Sequence, residues 1–547
     1  MEPTATPWPT ATALPTLTNT PVPPTATPNL PTGTPTPSLD LSLIPERLSI
    51  YPVPKLYAGD WATFQVTAYV PEQISLNTVD VDIYINDEFL VRQELDGRNL
   101  GGDARAIVAW AWDTSQAVGD YTITMVLDPD DKITVGDEDP SNNRHELYVT
   151  VLPDNARPLL DANAAWVTQE TDYAYIHVIA GTAAERDLPE LVEMTDKGIA
   201  EASERLAEIP KRKFDVYFID RVIGQGGYAG SAMVVSYLDR NYSGGDIYNV
   251  LVHEAIHLLD RQFVGDGRLN FLAEGVAVWG TGGHYKTEDL QGRAKALYEQ
   301  GLYVPLPALI DDFYPVQHEI GYLQAGAFVE FLVAQYGWPA VREFYTAVDI
   351  RRVNSRAAEV DEELQRAFGK SLEQLEQEWL TVLQVYDAPA TAQLDTLATI
   401  RFYNIMRQYQ LQYDPTAHFL NAWLPRPNEL LAQGFTAELN RHPNDKINLV
   451  LESMLTEADI ALRNGNYEDT SVLLNSVERV LNSQGGAADP LSKGYFEIVT
   501  IATDWGFEVH RVEINGADAT VWATNPYSAV LQKLTFSRNQ NGWFLLQ

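Results

Sequence analysis

The chain has 547 residues, and its 75 acidic residues outnumber the 38 basic ones, which gives a formal charge of -37. At about 150 residues per domain, this length predicts three or four units. The negative charge would repel a polyanion, so we expect no nucleic-acid partner. Cysteine is absent, which excludes disulfides, thiolate metal sites and cysteine nucleophiles. Any metal must therefore be held by histidines and carboxylates.

Threonine and proline dominate residues 2–39. Such a stretch cannot bury apolar surface and lacks many backbone donors, so residues 1–44 are predicted to form a disordered, extended spacer. Spacers of this kind resemble those that hold bacterial surface enzymes away from the envelope, which predicts an extracytoplasmic protein, secreted or tethered to the envelope. An interdomain linker is the alternative. No apolar run approaches the roughly 18 to 20 residues of a membrane-spanning helix, and no signal segment opens the sequence.

Residues 45–154 show period-two alternation of apolar side chains, as from Phe64 to Val70. About seven short strands of this kind predict an immunoglobulin-like β-sandwich. The segment resembles the bacterial adhesion-related (CARDB-like) Ig-like domains, particularly in Leu127-Asp128-Pro129 and in the run from Asp137 to Asn143 before the last strand.

Several aspartates precede that last strand, namely Asp128, Asp130, Asp131, Asp137 and Asp139. Together they offer the oxygen ligands that calcium prefers, but their spacing does not match an EF-hand loop. A solvated acidic turn is the simpler interpretation, and structural calcium stays open as the alternative.

Residues 155–387 mix strand and helix patterns and predict an α+β unit. The predicted elements are a strand at 173–179, a helix at 184–209, a strand at 214–219, a glycine-rich turn at 224–227, a strand at 229–237 and a helix that begins near Asp246, with further helices to about residue 385. Asp246 suits a helix N-cap because its carboxylate can accept from the free amides of the first turn.

The chemistry is carried by His253-Glu254-Ala255-Ile256-His257. Two histidines four residues apart on a helix lie on one face, where both imidazoles can bind one ion. Glu254 lies beside that face, so it can take a proton from water bound to the metal without being a ligand. Glu274, the acidic residue of an otherwise apolar segment, supplies a third ligand, since burying it without a partner would be costly. Zinc is the expected metal.

These residues resemble the gluzincin metallopeptidases, especially the peptidase-MA-like group, in which His-Glu-x-x-His is followed by a helix with Leu-x-Glu-Gly-x-Ala. The matching residues are His253, Glu254, His257, Leu272, Glu274, Gly275 and Ala277. The resemblance implies a thermolysin-like catalytic domain and a tyrosine that donates to the developing oxyanion on a later helix. Tyr322 is the candidate for that tyrosine, with His318 as a competing donor and a core aromatic as the structural alternative.

Asp260 is predicted to orient one of the ligand imidazoles, or else to form a surface salt bridge. The strand at 229–237 resembles the gluzincin edge strand that pairs with extended substrate. Residues 388–547 predict a helical region followed by a small α+β module with hairpins at Asn515-Gly516 and Asn541-Gly542. Together, the metal-binding motif, the resemblance and the N-terminal spacer predict a zinc peptidase that acts on extracellular protein or glycoprotein substrates. The alternative is a surface adhesion or scaffold protein whose zinc domain is inactive or hydrolyses another bond.

Overall fold

The computed structural model describes residues 40–546 with the exception of 52–54, 72–73, 96, 99–102, 158–164, 220–225, 245, 266, 350–354, 415–441, 484 and 526–527. Most of the spacer predicted at residues 1–44 lies outside the described residues, as do residues 224 and 225 of the predicted glycine-rich turn. The protein is multidomain, with an N-terminal β-rich domain, a central mixed unit, a helical region and a C-terminal β-module.

The N-terminal domain consists of two sheets, with strand orders β1-β4-β8-β7 (β2 also pairs with β4) and β3-β10-β9-β5-β6. Both sheets contribute to one apolar core, in which Phe64 and Val66 of one sheet join Val81 and Ile123 of the other. The strands are β1 (Ser42–Leu43), β2 (Ser49–Tyr51), β3 (Leu56–Tyr57), β4 (Trp61–Tyr69), β5 (Asp80–Ile85), β6 (Glu88–Glu94), β7 (Gly97–Arg98), β8 (Ala104–Asp113), β9 (Gly119–Leu127) and β10 (Arg144–Leu152).

The central unit has a mixed sheet in the order β11-β12-β13-β15-β14, which leaves β14 at an edge. Its strands are β11 (Trp166–Glu170), β12 (Ala174–Ile179), β13 (Phe214–Ile219), β14 (Gly227–Ala229) and β15 (Met233–Ser236). Its helices are α1 (Ala183–Arg186), α2 (Leu188–Leu206), α3 (Ile247–Val264), α4 (Asn270–Thr281), α5 (Leu290–Glu299), α6 (Leu306–Asp311), α7 (His318–Tyr336), α8 (Trp338–Ala347), α9 (Arg356–Phe368) and α10 (Leu372–Val385).

The prediction of one strand over 229–237 is wrong, because this segment belongs to a hairpin. β14 ends at Ala229 and pairs antiparallel with β15, which begins at Met233. The backbone N–H of Gly230 donates to Ala232 O at 2.9 Å and closes the turn between them. The short strand β14 is therefore the edge that faces α3.

The C-terminal region is not physically separate from the central unit. It consists of α11 (Ala392–Tyr413), α12 (Lys446–Arg463), α13 (Tyr467–Asn482), α14 (Pro490–Asp504) and the antiparallel strands β16 (Glu508–Asn515), β17 (Asp518–Asn525), β18 (Ser528–Asn539) and β19 (Gly542–Leu545). Tyr242 and Tyr285 of the central unit are buried in its apolar core. Side chains from both sides of the predicted boundary at residues 387 and 388 therefore contribute to this core. In the described part of the chain, no helix is long and apolar enough to cross a membrane.

Candidate metal centre and active-site cleft

The predicted ligands lie on α3 and α4, which pack against each other. Asp246 caps α3, as predicted, by accepting from Tyr248 N at 2.9 Å. Glycines then hold α4 close to α7: a Cβ at Gly275 would lie 2.9 Å from Ala325 O, and one at Gly326 would overlap Val278. The residue after Glu274 must therefore be small if α4 is to keep this position.

His253, His257 and Glu274 converge as a metal site requires. The Nε2 atoms of His253 and His257 lie 3.3 and 3.1 Å from the same oxygen, Glu274 Oε2. Ligands at about 2.0–2.1 Å from a tetrahedral zinc ion are separated from one another by about 3.3 Å. Two imidazole nitrogens and one carboxylate oxygen also match the donor set of catalytic zinc. The residues present therefore fit zinc.

Burial and neighbouring charges determine the pKa values of these three groups in the absence of a metal. Burial lowers the pKa of His253 to about 4, so this imidazole is already neutral at neutral pH. Burial also acts to lower the pKa of His257, but the charge of Glu274 and the hydrogen bond to it outweigh that effect and raise the pKa to about 9. Burial would raise the pKa of Glu274, yet the two histidines hold it well below its ordinary value. A proton on His257 therefore supplies the positive charge that a bound metal ion would otherwise supply.

Glu254 follows His253 on α3 and lines the same cavity as the three predicted ligands. Burial raises its pKa to about 7. Gly227 of β14 lies directly against it, since a Cβ added there would be 2.7 Å from Glu254 Cγ and 2.9 Å from its Oε1. Glycine at position 227 therefore permits the edge strand to pass beside the carboxylate.

Asp260 is buried and contacts Arg268 and Tyr345 rather than the surface. It forms an ion pair with Arg268 and accepts from the Tyr345 hydroxyl at 2.8 Å. Arg268 in turn donates to the backbone oxygen of His257 at 3.1 Å, while Nδ1 of His257 is buried and forms no hydrogen bond with a described residue. Asp260 thus reaches His257 through Arg268 and the backbone, and a direct role in orienting an imidazole stays a prediction.

Tyr322 and His318 both line the cavity, with their rings 4.8 Å apart between centroids. Burial raises the pKa of Tyr322 well above its ordinary value, so the phenol keeps its proton and can donate. Burial lowers the pKa of His318 to about 3, so that imidazole is neutral and has one N–H to donate. The geometry leaves both as candidates for the oxyanion donor.

Two further polar groups of the cavity were not predicted from the sequence. The hydroxyl of Tyr314 lies 3.4 Å from Glu274 Oε1, and His284 pairs with the buried carboxylate of Glu319 at 2.5 Å. Burial acts to lower the pKa of His284, but Glu319 raises it above its ordinary value. Both residues lie in loops without a periodic pattern, so the sequence carries no signal for them.

The cleft around the ligands has a volume of about 390 Å³ and is closed on one side by the C-terminal region. β14 supplies one wall, and α11 supplies Tyr403 and Arg407 on another. The lining contains three arginines, at positions 261, 268 and 407, and its carboxylates among the described residues are Glu254 and Glu274. The cleft is thus far less acidic than the rest of the chain.

A second group with metal-binding side chains consists of Asp414, His442 and Glu452, at the junction of the central unit and the C-terminal helices. Its carboxylates already accept hydrogen bonds, from Tyr242 to Asp414 and from Tyr409 to Glu452. Arg240 also pairs with Glu452 at 2.9 Å. These donors occupy the oxygens that a cation would need, so the group forms a polar junction.

Comparison with known proteins gives no family for the chain, since no family model and no curated protein matches it. Among solved structures, the chain is similar to the CARDB domain of a Pyrococcus furiosus protein in complex with di-metal ions, at 20% identity and a TM-score of 0.17, over 21% of this chain and 94% of that one. It is similar to the M1 zinc metallopeptidase of Deinococcus radiodurans at 14% identity and a TM-score of 0.29, over 63% of this chain and 92% of that one. An aminopeptidase N family protein of Idiomarina loihiensis has 9% identity and a TM-score of 0.25, over 65% of this chain and 77% of that one. At these TM-scores the likenesses carry no weight for function, which has to be argued from the site itself.

The protonation of His257 predicts how zinc affinity depends on pH. Zinc requires the neutral imidazole, so below the pKa of about 9 zinc must displace a proton. We expect the affinity to fall about tenfold for each pH unit between about pH 8 and pH 6, with about one proton released per zinc. Competition titration against a zinc chelator at several pH values measures this slope. A pH-independent affinity would show that His257 is not a protonated ligand.

Gly227→Ala tests the contact between the edge strand and Glu254. The added carbon must displace Glu254 or β14, because it would lie 2.7 Å from Glu254 Cγ. We expect any activity that depends on Glu254 to fall by about 10²-fold, with zinc content unchanged because the substitution leaves His253, His257 and Glu274 in place. Gly97→Ala is the control, since no atom lies within 4 Å of its added carbon. Equal activity in the two variants would contradict the assigned position of Glu254.

Proposed function

We propose that this chain is a gluzincin-type zinc peptidase, in which His253, His257 and Glu274 bind the metal and Glu254 is the general base. The observation that carries the proposal is the approach of both imidazoles to one carboxylate oxygen, at 3.1 and 3.3 Å, beside a buried glutamate in an open cleft. The proposed substrate is extracellular protein or glycoprotein, and the Thr/Pro-rich N-terminal segment supports a place outside the cytoplasm. The N-terminal domain is proposed to be an Ig-like, CARDB-like sandwich.

The chain's own residues supply each step around the metal. A zinc ion bound at this site supplies positive charge that acidifies water and polarises the scissile carbonyl. Glu254, which is buried beside the proposed ligands, accepts the proton of the attacking water and returns it to the leaving amine nitrogen as the C–N bond breaks. Tyr322 or His318 donates a hydrogen bond to the oxygen on which charge grows.

The edge strand supplies a means of holding an extended substrate. β14 lies at the end of its sheet and lines the cleft beside Glu254. An extended peptide can add to such an edge through main-chain hydrogen bonds, which do not depend on side-chain identity. A substrate bound in this way has its backbone next to the base, which favours peptide bonds over other amides.

Glu254→Gln separates a peptidase from the scaffold alternative. The variant keeps the size of the side chain and leaves all three ligands in place, so it should bind one zinc ion as the parent does. We expect casein cleavage to fall by at least about 10²-fold because the base is lost. Zinc analysis and casein cleavage are measured on parent and variant together. Zinc in both without cleavage by either would support a scaffold or another hydrolase, and absence of zinc would contradict the site.

The cleft supports a preference for substrates that carry a negative charge. Arg407 lines the cavity, where it donates to the amide oxygen of Gln410 at 2.7 Å and lies over the ring of Tyr403. Arg268 is already neutralised by Asp260. Arg407 forms no ion pair with a carboxylate of the described residues, and we propose that its charge attracts a negatively charged substrate side chain or terminal carboxylate.

Two peptides that differ only in having glutamate or glutamine near the cleaved bond test this role. We expect Arg407→Ala to lower the ratio of their kcat/KM values, glutamate over glutamine, about tenfold. Arg401→Ala is the matched control, because Arg401 lies on the same helix but pairs with Glu478 outside the cavity. The two peptides are compared on parent and both variants. A Glu-to-Gln ratio that stays the same in Arg407→Ala would contradict the role of this arginine.

A further inference from the structure

Three side-chain oxygens in the loop between β9 and β10 are buried and accept no hydrogen bond from the described residues. They are Oδ1 of Asp137, Oδ1 of Asn142 and Oδ1 of Asn143. Asn143 is among the buried polar residues, with 6% of its surface exposed. Buried oxygens normally have donors, so three oxygens without protein donors within seven residues require an explanation.

The hydrogen bonds of the two amides fix which way these oxygens face. Asn142 Nδ2 donates to Asp40 Oδ2 and Asn143 Nδ2 donates to Asp137 Oδ2, each at 2.7 Å. Rotating either amide would place its oxygen against a carboxylate oxygen, which is repulsive. These two hydrogen bonds therefore fix the orientation of both amide groups. The Oδ1 atom of each amide points away from the carboxylate oxygen that its Nδ2 contacts.

The other aspartates of the loop already have structural roles. Asp130 pairs with Arg92 and Lys132, and Asp128 accepts from the backbone of residues 132 and 133. Asp139 caps the 3-10 turn Pro140–Asn143. These contacts account for three of the five aspartates that the sequence indicated as calcium ligands. Asp131 is exposed, and Asp137 accepts from Asn143 alone among the described residues.

The surroundings of Asp137 favour a cation over a hydrogen-bond donor of the protein. Its pKa is raised by burial and by the carboxylates of Asp40, Asp128 and Asp131, so negative charge accumulates around it. The unpartnered atoms are all oxygens, one from a carboxylate and two from amides. Carboxylate and amide oxygens are the donors that calcium prefers, usually completed by water.

We propose that Asp137, Asn142 and Asn143 bind a hard divalent cation of the calcium type through their Oδ1 atoms. Asp40 positions the loop, since it accepts from the backbone N–H groups of residues 138 and 139 as well as from Asn142. Asp40 lies just before β1, so its hydrogen bonds connect the start of the first strand to the loop before the last strand. With one carboxylate, the site should be weak, with a Kd of about 10⁻⁴ to 10⁻³ M.

The test uses the full chain with zinc bound and calcium as the probe. We expect about one additional calcium per chain in equilibrium dialysis and a rise in the Tm of the N-terminal domain with calcium but much less with magnesium, which keeps its water and demands stricter geometry. Asp137→Asn should abolish both effects. Asp130→Asn, which removes a neighbouring carboxylate with ion-pair partners, should retain them. No calcium bound by the parent, or equal loss in both variants, would overturn the proposal.

Asn143→Asp guards against the possibility that Asp137→Asn fails to fold. Replacing the Asn143 amide by a carboxylate removes its hydrogen bond to Asp137 and places two negative charges side by side. Without calcium, the variant should therefore unfold at a lower temperature than the parent. With the ion, the extra charged ligand should raise calcium affinity about tenfold and restore stability. If Asn143 only forms a structural hydrogen bond, calcium will not rescue the variant, and that outcome would overturn the proposal.

Discussion

Glu274 is buried between His253 and His257, with one of its oxygens within 3.3 Å of both imidazole nitrogens. Removing the partner of a buried charge typically costs about 3–5 kcal/mol, so the fold depends on positive charge at this point. The raised pKa of His257 indicates that a proton on this imidazole supplies the positive charge beside Glu274. A zinc ion held by the proposed ligands would replace this proton with a larger positive charge. The close packing of α4 on α7 at Gly275 keeps the carboxylate in place for either.

The C-terminal region completes the cleft because it is bound to the central unit by buried charge as well as apolar packing. Arg293 is buried on α5 and pairs with Glu288, and it also lies near Glu319 of α7 and Asp395 of α11. Glu319 is the same carboxylate that holds His284 in the cleft. A shift of α11 would therefore disturb the partner of a cavity histidine. Arg407 lies on the same helix and lines the cavity that also contains His284.

The local sequence predicted the parts of this protein that depend on neighbours in the chain. The N-cap at Asp246 and the hairpins at Gly516 and Gly542 are confirmed, because each rests on a few adjacent residues. The single strand at 229–237 was wrong, since apolar periodicity does not reveal that Gly230 closes a turn.

The remaining contacts of the site could not be predicted, because they join elements far apart in the sequence. Tyr314 and His284 reach the ligands from loops, and Arg407 reaches the cleft from a helix more than 100 residues after the motif. Nothing in their local patterns distinguishes them from ordinary polar or aromatic residues. The same holds for Asp260, whose partners Arg268 and Tyr345 come from two different segments. Its burial follows from packing that periodicity does not encode.

The supply of hydrogen-bond donors distinguishes the polar clusters of this protein better than their charge does. Asp414 and Glu452 are buried together, but tyrosine hydroxyls and Arg240 occupy their oxygens, so the cluster is complete without an ion. At Glu274 the nearest groups are imidazoles that can lose their protons, which lets a metal take the place of a donor. In the loop at 137–143, three buried oxygens accept no hydrogen bond from the part of the chain that the structure describes. A chain with 75 acidic residues has many carboxylate clusters, and a cation is required only where the donors are missing or can be displaced.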